Sequence, residues 1–295
     1  MSSSPVPRPV QSSTGGPAPL LEEVLSIAEE LWPQALAESW DAVGLVTGRR
    51  DRSVRRIHFA VDPVQAVVTE ACTSGADLLI THHPLLLRGV HSVEAGHFKG
   101  GLVHDLIEAG CALLSAHTNS DSAMGGVNDV LAGLLGVQDT EPLRPAEAGL
   151  AAEGLGRIGT LAAPVTLSDF ASTVFSVLPS VAGGVRVAGD RDALVQRVAL
   201  CGGAGDSLLD AAVRAQADVF LTADLRHHPA SEAREAAAQQ RPYLIDVSHF
   251  ASEWLWLPAA AEALDRALND RGYDVEVVVS GINTDPWDFV LTPGH

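Results

Sequence analysis

Cysteine is scarce in this chain, and basic charge is far scarcer than acidic. The three cysteines, Cys72, Cys111 and Cys201, stand far apart in 295 residues and form no CxxC pair. That excludes a disulfide framework and fits thiols kept reduced in the cytoplasm. No apolar run reaches the length of a membrane span, so no membrane partner is expected. The first residues, MSSSPVPRPVQSSTGGPAPL, lack the apolar stretch of a secretory signal and read as a disordered tail over residues 1–19. Lys and Arg number 19 against 37 Asp and Glu, a formal charge of −18. Coating a nucleic acid needs clustered cations, so nucleic acid is not an expected partner, whereas a small nucleotide held with the help of cations is not excluded. Several catalytic signatures are missing too. No Gly-x-Ser-x-Gly elbow occurs, no cysteine sits in a nucleophile motif, and the one glycine-rich turn, GGAGDS at 202–207, lacks the GK[ST] of a P-loop.

What remains is an apolar chain, 46% hydrophobic, with material for one large or two medium domains. Leu20–Glu38 carries helical periodicity. VRRIHFAV (54–61) reads as a strand, Pro63–Ser74 as a helix and Ala76–Thr81 as a second strand, a parallel βαβ unit. Gly101–Ala109 is helical, CALLSAHTNSD a short strand with a polar end, and MGGVNDVLAGLLG a turn followed by a helix. From 137 to about 193 the pattern weakens, with a strand-like RIGTLAAP and a helix near Leu167–Leu178. Then RVALCGGAGDSLLDAAVRAQADVFLTAD repeats strand, glycine-rich turn, helix and strand. YLIDVSHFASEWLWLPAAAEALDRAL adds a strand and a helix, and VEVVVSG a last strand.

The two βαβ units align without a gap at an offset of 141, with six identities over 28 positions: Val54, Arg56, Ala71, Ala76, Asp77 and Thr81 fall on Val195, Arg197, Ala212, Ala217, Asp218 and Thr222. The match predicts an internal repeat. Its second copy places Ala223 and Asp224 where the first has His82 and His83.

Open α/β sheets gather their ligands at the C-terminal ends of parallel strands. Three such ends carry metal-ligating side chains: Thr81-His82-His83, His117 through Asp121, and Asp246 through His249 with Glu253 beyond. This His, Asp and Glu pool without cysteine suits a transition-metal hydrolase rather than a zinc finger. If Ser248 caps a helix, His249 and Glu253 share one face at i and i+4. The same spacing separates His117 from Asp121, where Thr-Asn-Ser suggests a loop instead. Neighbouring strand side chains point to opposite faces, which tells against both His82 and His83 reaching one ion. A second pair, His227-His228, lies past a strand end and caps or precedes a helix; pocket lining suits His228 better than ligation. Asp224, at the strand end itself, is a comparable secondary candidate. His58, His91, His97 and His104 sit in exposed or amphipathic contexts and read as structural. In GGAGDS, backbone N–H groups facing a phosphate are one reading and a tight strand–helix turn the simpler one.

THHP, HTNSD with GGVND, CGGAGD with LTADLRHH, and SHFASE, opened by ESWDAVGLVTG and closed by SGINTDPW, resemble in order the landmarks of the Nif-three-like family, in its short bacterial form. Bacterial members of that family carry the name GTP cyclohydrolase 1 type 2. The resemblance runs from about Leu20 to Phe289 and departs from the family's pattern at Ala42 and Ala223. It implies two similar α/β domains, with a dinuclear metal site at strand C-terminal ends between them. The expected boundaries are 20–136 plus 243–295 for the first domain and 137–242 for the second. It further implies two divalent ions per chain (Zn, Mn or Fe) on His82, His83, Asp121, His249 and Glu253. Glu253 would be the bridging, catalytic carboxylate, His117 an orienting neighbour, and the assembly a homohexamer. Two functions follow from such a site. One is hydrolysis by a metal-activated water of a small-molecule substrate, a nucleotide such as GTP among the candidates. The other is metal storage, sensing or partner docking without turnover.

Overall fold

Short apolar runs bounded by glycine and polar turns become the central strands of two sheets. The computed structural model describes residues 15–147, 149–236 and 241–292. The chain divides into two units, one reaching to Ala123 and resuming over Leu257–Thr284, the other spanning Met124–Trp256 and the residues from Asp285 onward.

In the first unit, β1 (Gly44–Thr47), β2 (Arg56–Ala60), β3 (Leu78–Thr81), β4 (Ala112–Ser115) and β11 (Glu276–Val279) form a sheet in the order β1-β4-β3-β2-β11. Only β1 runs antiparallel to its neighbour. The strands β3 and β4 are buried at every position, which is why they read as unbroken apolar runs rather than as alternation. Helices α2 (Gln65–Thr73) and α3 (Phe98–Ala109) cover one face, with Val67, Ala71, Leu102 and Leu106 packed on Leu79 and Leu113. Gly110, at φ 72° and ψ 16°, ends α3 in the left-handed conformation that favours glycine.

The second unit carries six strands: β5 (Val137–Pro145), β6 (Gly154–Thr166), β7 (Arg186–Ala188), β8 (Leu194–Ala204), β9 (Val219–Ala223) and β10 (Tyr243–Val247), in the order β5-β6-β8-β9-β10-β7. Successive side chains of the central strands feed opposite cores. Val198, Leu200, Val219 and Leu221 join α6 (Leu167–Val177) through Phe170 and Val174. Ala199 and Phe220 join Leu208, Leu209 and Ala212 at the start of α7 (Leu209–Arg214). The expected two-unit α/β architecture is therefore present, but the boundaries shift. β10 pairs in parallel with β9 over five residues, so the segment from 243 to 256 belongs to the second sheet rather than the first. A strand goes where its backbone finds a partner, and composition does not disclose that partner.

The internal repeat holds at the level of register. Ile57 faces Leu78 and Phe59 faces Ile80; at an offset of 141, Val198 faces Val219 and Leu200 faces Leu221. The clasp closing each unit is duplicated as well. Asp77 Oδ2 accepts from the backbone N–H groups of Arg55 and Arg56 at 2.7 and 3.0 Å, and Asp218 Oδ2 from those of Gln196 and Arg197 at 2.8 and 2.9 Å.

Four further expectations change. Residues 1–14 lie outside the described residues, but 15–19 belong to the fold, with Pro17 and Pro19 carbonyls accepting from Asp274 at 3.2 Å and Val54 at 2.8 Å. The Thr-Asn-Ser stretch is not a loop but a short helix, α4 (Thr118–Ser122). β8 continues through Gly202 and Gly203 to Ala204, so the glycine-rich segment is strand before it is turn. His58 is buried, its Nε2 2.9 Å from Glu70 Oε2. Among the described residues no helix is long and apolar enough to cross a membrane.

Candidate metal centre

In the first unit, β3 stops at Thr81 because Thr81 Oγ1 turns to donate to the carbonyl of His83 at 2.8 Å, just ahead of Pro84. His82 is completely buried and His83 half-buried, and the two rings sit 5.1 Å apart, tilted by 50°. The strand next door, β4, ends at Ser115 and brings His117 and α4 alongside. The His117 ring lies 5.2 Å from His82 and 5.4 Å from His83. One nitrogen from each of these three rings falls within 4.8 Å of the other two, near enough to share an ion. Asp121 projects from α4 with Oδ1 3.7 Å from His82 Nε2. One turn of helix, where a loop was expected, is what sets His117 and Asp121 on one side.

Each of these rings is held by its Nδ1. His82 Nδ1 is 3.0 Å from the Ala116 carbonyl, His83 Nδ1 2.7 Å from Asp62 Oδ1, and His117 Nδ1 2.9 Å from Asp41 Oδ1. An acceptor at Nδ1 fixes the proton there and leaves the Nε2 lone pair outward, the tautomer that a metal ligand needs. Asp62 is itself held by the Thr284 hydroxyl, and Asp41 by the backbone N–H groups of Ala42 at 2.7 Å and Thr118 at 3.0 Å. Neither carboxylate was picked out from the sequence. Asp41 lies in the WDAVG motif and Asp62 directly after β2, but their partners are 76 and 21 residues away and leave no local pattern.

Burial by itself would push the Asp41 carboxyl up. Hydrogen bonds from His117 and Thr118 outweigh it and hold the pKa at about 2, below the ordinary 3.8. A depressed carboxyl contributes stability that is complete above the ordinary value and disappears as pH falls toward the folded one. After allowance for screening by solvent the contribution is about 1–2 kcal/mol. Acid unfolding of Asp41→Asn, followed by circular dichroism between pH 4 and 2, should therefore be less steep than that of the wild type by that amount.

In the second unit, β10 ends at Val247 and Ser248 caps α9 (His249–Trp254), accepting from Ala251 N–H at 3.2 Å while its hydroxyl donates to Asp285. The cap starts the helix at His249, so Glu253 lies one turn on, with Oε1 2.9 Å from His249 Nε2. Asp224 takes the orienting role, its Oδ2 2.7 Å from His249 Nδ1. It holds a left-handed φ of 56°, uncommon for a residue other than glycine. Burial pushes the His249 ring down, but the charges of Glu253 and Asp224 and their hydrogen bonds raise it to about 11.

Behind this pair runs β8. Gly203, at φ +64°, stands where a Cβ would collide with Glu253 Oε1 and come within 3.1 Å of His249 Nε2. Its N–H donates to Ser252 Oγ, and that of Gly202 to Asn128 Oδ1, both at 2.9 Å. These two N–H groups are thus already taken and do not face a phosphate. His227 and His228 begin α8 (His227–Ala236). His227 lines a 660 Å³ cavity with Arg186 and Asp246, whereas His228 is exposed. Asp246 accepts from Arg186 and from Leu225 N–H, tying strand to loop.

The donor set of the first unit fits a divalent ion: imidazole Nε2 atoms presented by bonded Nδ1 atoms, with the Asp121 carboxylate close to one of them. The second unit adds one imidazole and one carboxylate, His249 and Glu253. The profile of the Duf34/NIF3 (NGG1p interacting factor 3) family matches residues 19–286. A Streptomyces coelicolor protein named GTP cyclohydrolase 1 type 2 homolog is 50% identical over 270 residues, covering 91% of this chain and 94% of its own. A Clostridium perfringens protein of the same name is 32% identical over 275 residues, covering 92% and 99%. Among solved structures, a Bacillus cereus protein related to NIF3 superposes with a TM-score of 0.85 at 25% identity, covering 92% of this chain and all of that one.

Proposed function

Because the chain belongs to the Duf34/NIF3 family, we propose that it is a metal-dependent hydrolase holding two divalent ions on His82, His83, Asp121, His249 and Glu253. The observation that carries this reading is the common state of the imidazoles. His82, His83 and His117 spend Nδ1 on a carbonyl or carboxylate and leave Nε2 for an ion, and His249 likewise spends Nδ1 on Asp224 while its Nε2 faces the Glu253 carboxylate. Four independent hydrogen bonds with the same outcome are expected of ligands and serve no purpose in a set of packing histidines.

Divalent ions in such a site would supply an acidified water and polarise an electrophilic carbon or phosphorus. The chain's own residues supply the rest. Asp62 and Asp224 hold the ring protons of His83 and His249 at Nδ1, and Glu253 is the carboxylate placed to bridge. GTP is the first substrate to test, given the name borne by the Streptomyces relative.

Protein purified without added metal should contain close to two divalent ions per chain by elemental analysis, and His82→Ala should contain fewer. Absence of bound metal from both would falsify the site. Incubation with GTP and a panel of phosphoesters, against a Glu253→Ala control, tests turnover. Equal inactivity across the panel would leave metal storage, sensing or docking as the function. Asp62→Asn and Asp224→Asn keep size and shape but weaken the hold on Nδ1. Each should lower metal affinity roughly 10- to 100-fold in a competition titration with a chromogenic chelator, without loss of folded structure.

A further inference from the structure

Five of the chain's 19 basic residues fall between Arg49 and Arg56, in a protein whose formal charge is −18. Arg56 is committed to Glu276 at 2.6 Å. Arg49, Arg50, Arg52 and Arg55 are exposed and, among the described residues, their side chains make no ion pair or hydrogen bond. Four like charges on one short loop repel one another. The loop is not free to spread them apart. The carbonyls of Arg50 and Arg52 accept from Glu22 N–H at 3.0 Å and Leu21 N–H at 2.8 Å, satisfying first-turn donors of α1 (Leu21–Leu31). The four arginines are thus carried by a loop whose backbone is tied to α1.

A cavity of 350 Å³ opens beside this loop, lined entirely by residues of the first unit and by none of the histidine cluster. Gly48 lets the loop form its wall: at φ +137° it lies so close to the sheet that a Cβ would come within 3.1 Å of Leu21 Cδ2 and 3.2 Å of Ala112 Cα. Arg49 and Arg52 line the cavity together with Thr47 and Ser53, and Ile107 contributes the accessible apolar surface. Ile107 is 59% exposed and offers apolar surface beside the cavity. Asp77 also borders the space, but its Oδ2 is engaged by the N–H groups of Arg55 and Arg56. In the 660 Å³ cavity of the second unit, Arg186 and Arg226 are paired with Asp246 and Asp206, and only Arg234 of its three arginines has no ion pair among the described residues.

We infer that the cavity lined by Arg49 and Arg52 binds a small phosphomonoester with an apolar ring or chain, its phosphate on the two guanidinium groups and its body against Ile107. Guanidinium forks match phosphate oxygens two at a time, and two forks with two hydroxyls suit a dianion better than a single-charged carboxylate. Apolar surface beside a few convergent polar groups is the usual build of a small-molecule site.

Phenyl phosphate is the probe, titrated calorimetrically into the full chain, with inorganic phosphate and benzoate as comparisons. Phenyl phosphate should bind saturably and about tenfold more tightly than either. Arg49→Ala with Arg52→Ala should weaken it at least tenfold, and Arg226→Ala should leave it unchanged. Ile107→Ser should weaken phenyl phosphate but not inorganic phosphate. Chelator-treated protein should bind as well as untreated, which separates this cavity from the proposed metal centre. Exposed positions carry all these substitutions, and unchanged melting temperatures would confirm intact folds. No saturable binding, undiminished affinity in the double variant, or loss of binding with the metal would each overturn the inference. So would tighter binding of a single-stranded oligonucleotide that draws on all four arginines.

Discussion

Valine at position 203 should abolish metal retention by the His249–Glu253 pair while the second sheet stays folded. Two independent costs fall on that substitution. The backbone at φ +64° disfavours any side chain, by about 1–2 kcal/mol. The new Cβ would then occupy the space of Glu253 Oε1 and crowd His249 Nε2. Glu253 is 2% exposed and has no solvent to swing into, so its carboxylate must leave the position from which it could bridge. Loss at the upper end of the 100-fold seen for disturbed metal sites is expected in a chelator competition. Gly184→Ala isolates the cause: φ there is +62°, but the Cβ would meet nothing within 4 Å, so strain is imposed without collision. Metal affinity should be normal in that control. If Gly203→Val also binds normally, Glu253 is not a ligand in the conformation described.

The largest effect on stability should come from Arg157→Leu. Arg157 is 1% exposed inside the second unit, on β6, and its guanidinium donates to Asp129 and to the carbonyls of Gly154 at 2.6 Å and Gly156 at 2.8 Å. Leucine would fill part of the volume but leave two carbonyls and a carboxylate without this donor. Asp129 is partly exposed and keeps the Gly125 N–H, so the cost falls mainly on the two buried carbonyls, about 1–3 kcal/mol each, which for a unit of this size lowers the melting temperature on the order of 10 °C. Lysine should not rescue it, because a single ammonium cannot reproduce the fork that reaches three acceptors. Calorimetry of the two variants beside wild type decides the matter, and a melting temperature within 2–3 °C of wild type would contradict the reading.

The parts of this fold that could be read from sequence are those where burial is uniform. β2, β3, β8 and β9 carry apolar residues to both faces, and the offset of 141 was visible because the two copies keep the same length from strand to strand. β1 and β7 were not visible: each is a short edge strand, and β7 has no buried residue to leave a pattern. α4 was taken for a loop because Thr, Asn and Ser are poor helix formers, yet all five of its residues are buried and tertiary packing holds it in place. Among the site residues, strand-end histidines and the i, i+4 pair announce themselves by spacing. Asp41 and Asp62 do not, since a carboxylate that orients a ring from another element leaves no trace in its own neighbourhood. The end of the second domain was misplaced for the same reason: nothing within YLIDV says whether its hydrogen bonds go to β9 or to β2.

The duplicated clasp allows the two copies of the βαβ unit to be compared position by position. Asp77 and Asp218 close the same backbone loop, so the strand ends that follow are homologous positions, and His83 corresponds to Asp224. One copy ends in an imidazole, whose Nδ1 is held by Asp62. The other ends in a carboxylate, which holds the Nδ1 of His249. The same strand end thus presents a ring in one copy and steadies a ring in the other. The protein sets the two roles side by side, and putting histidine at 223 and 224 would give both copies the same strand end.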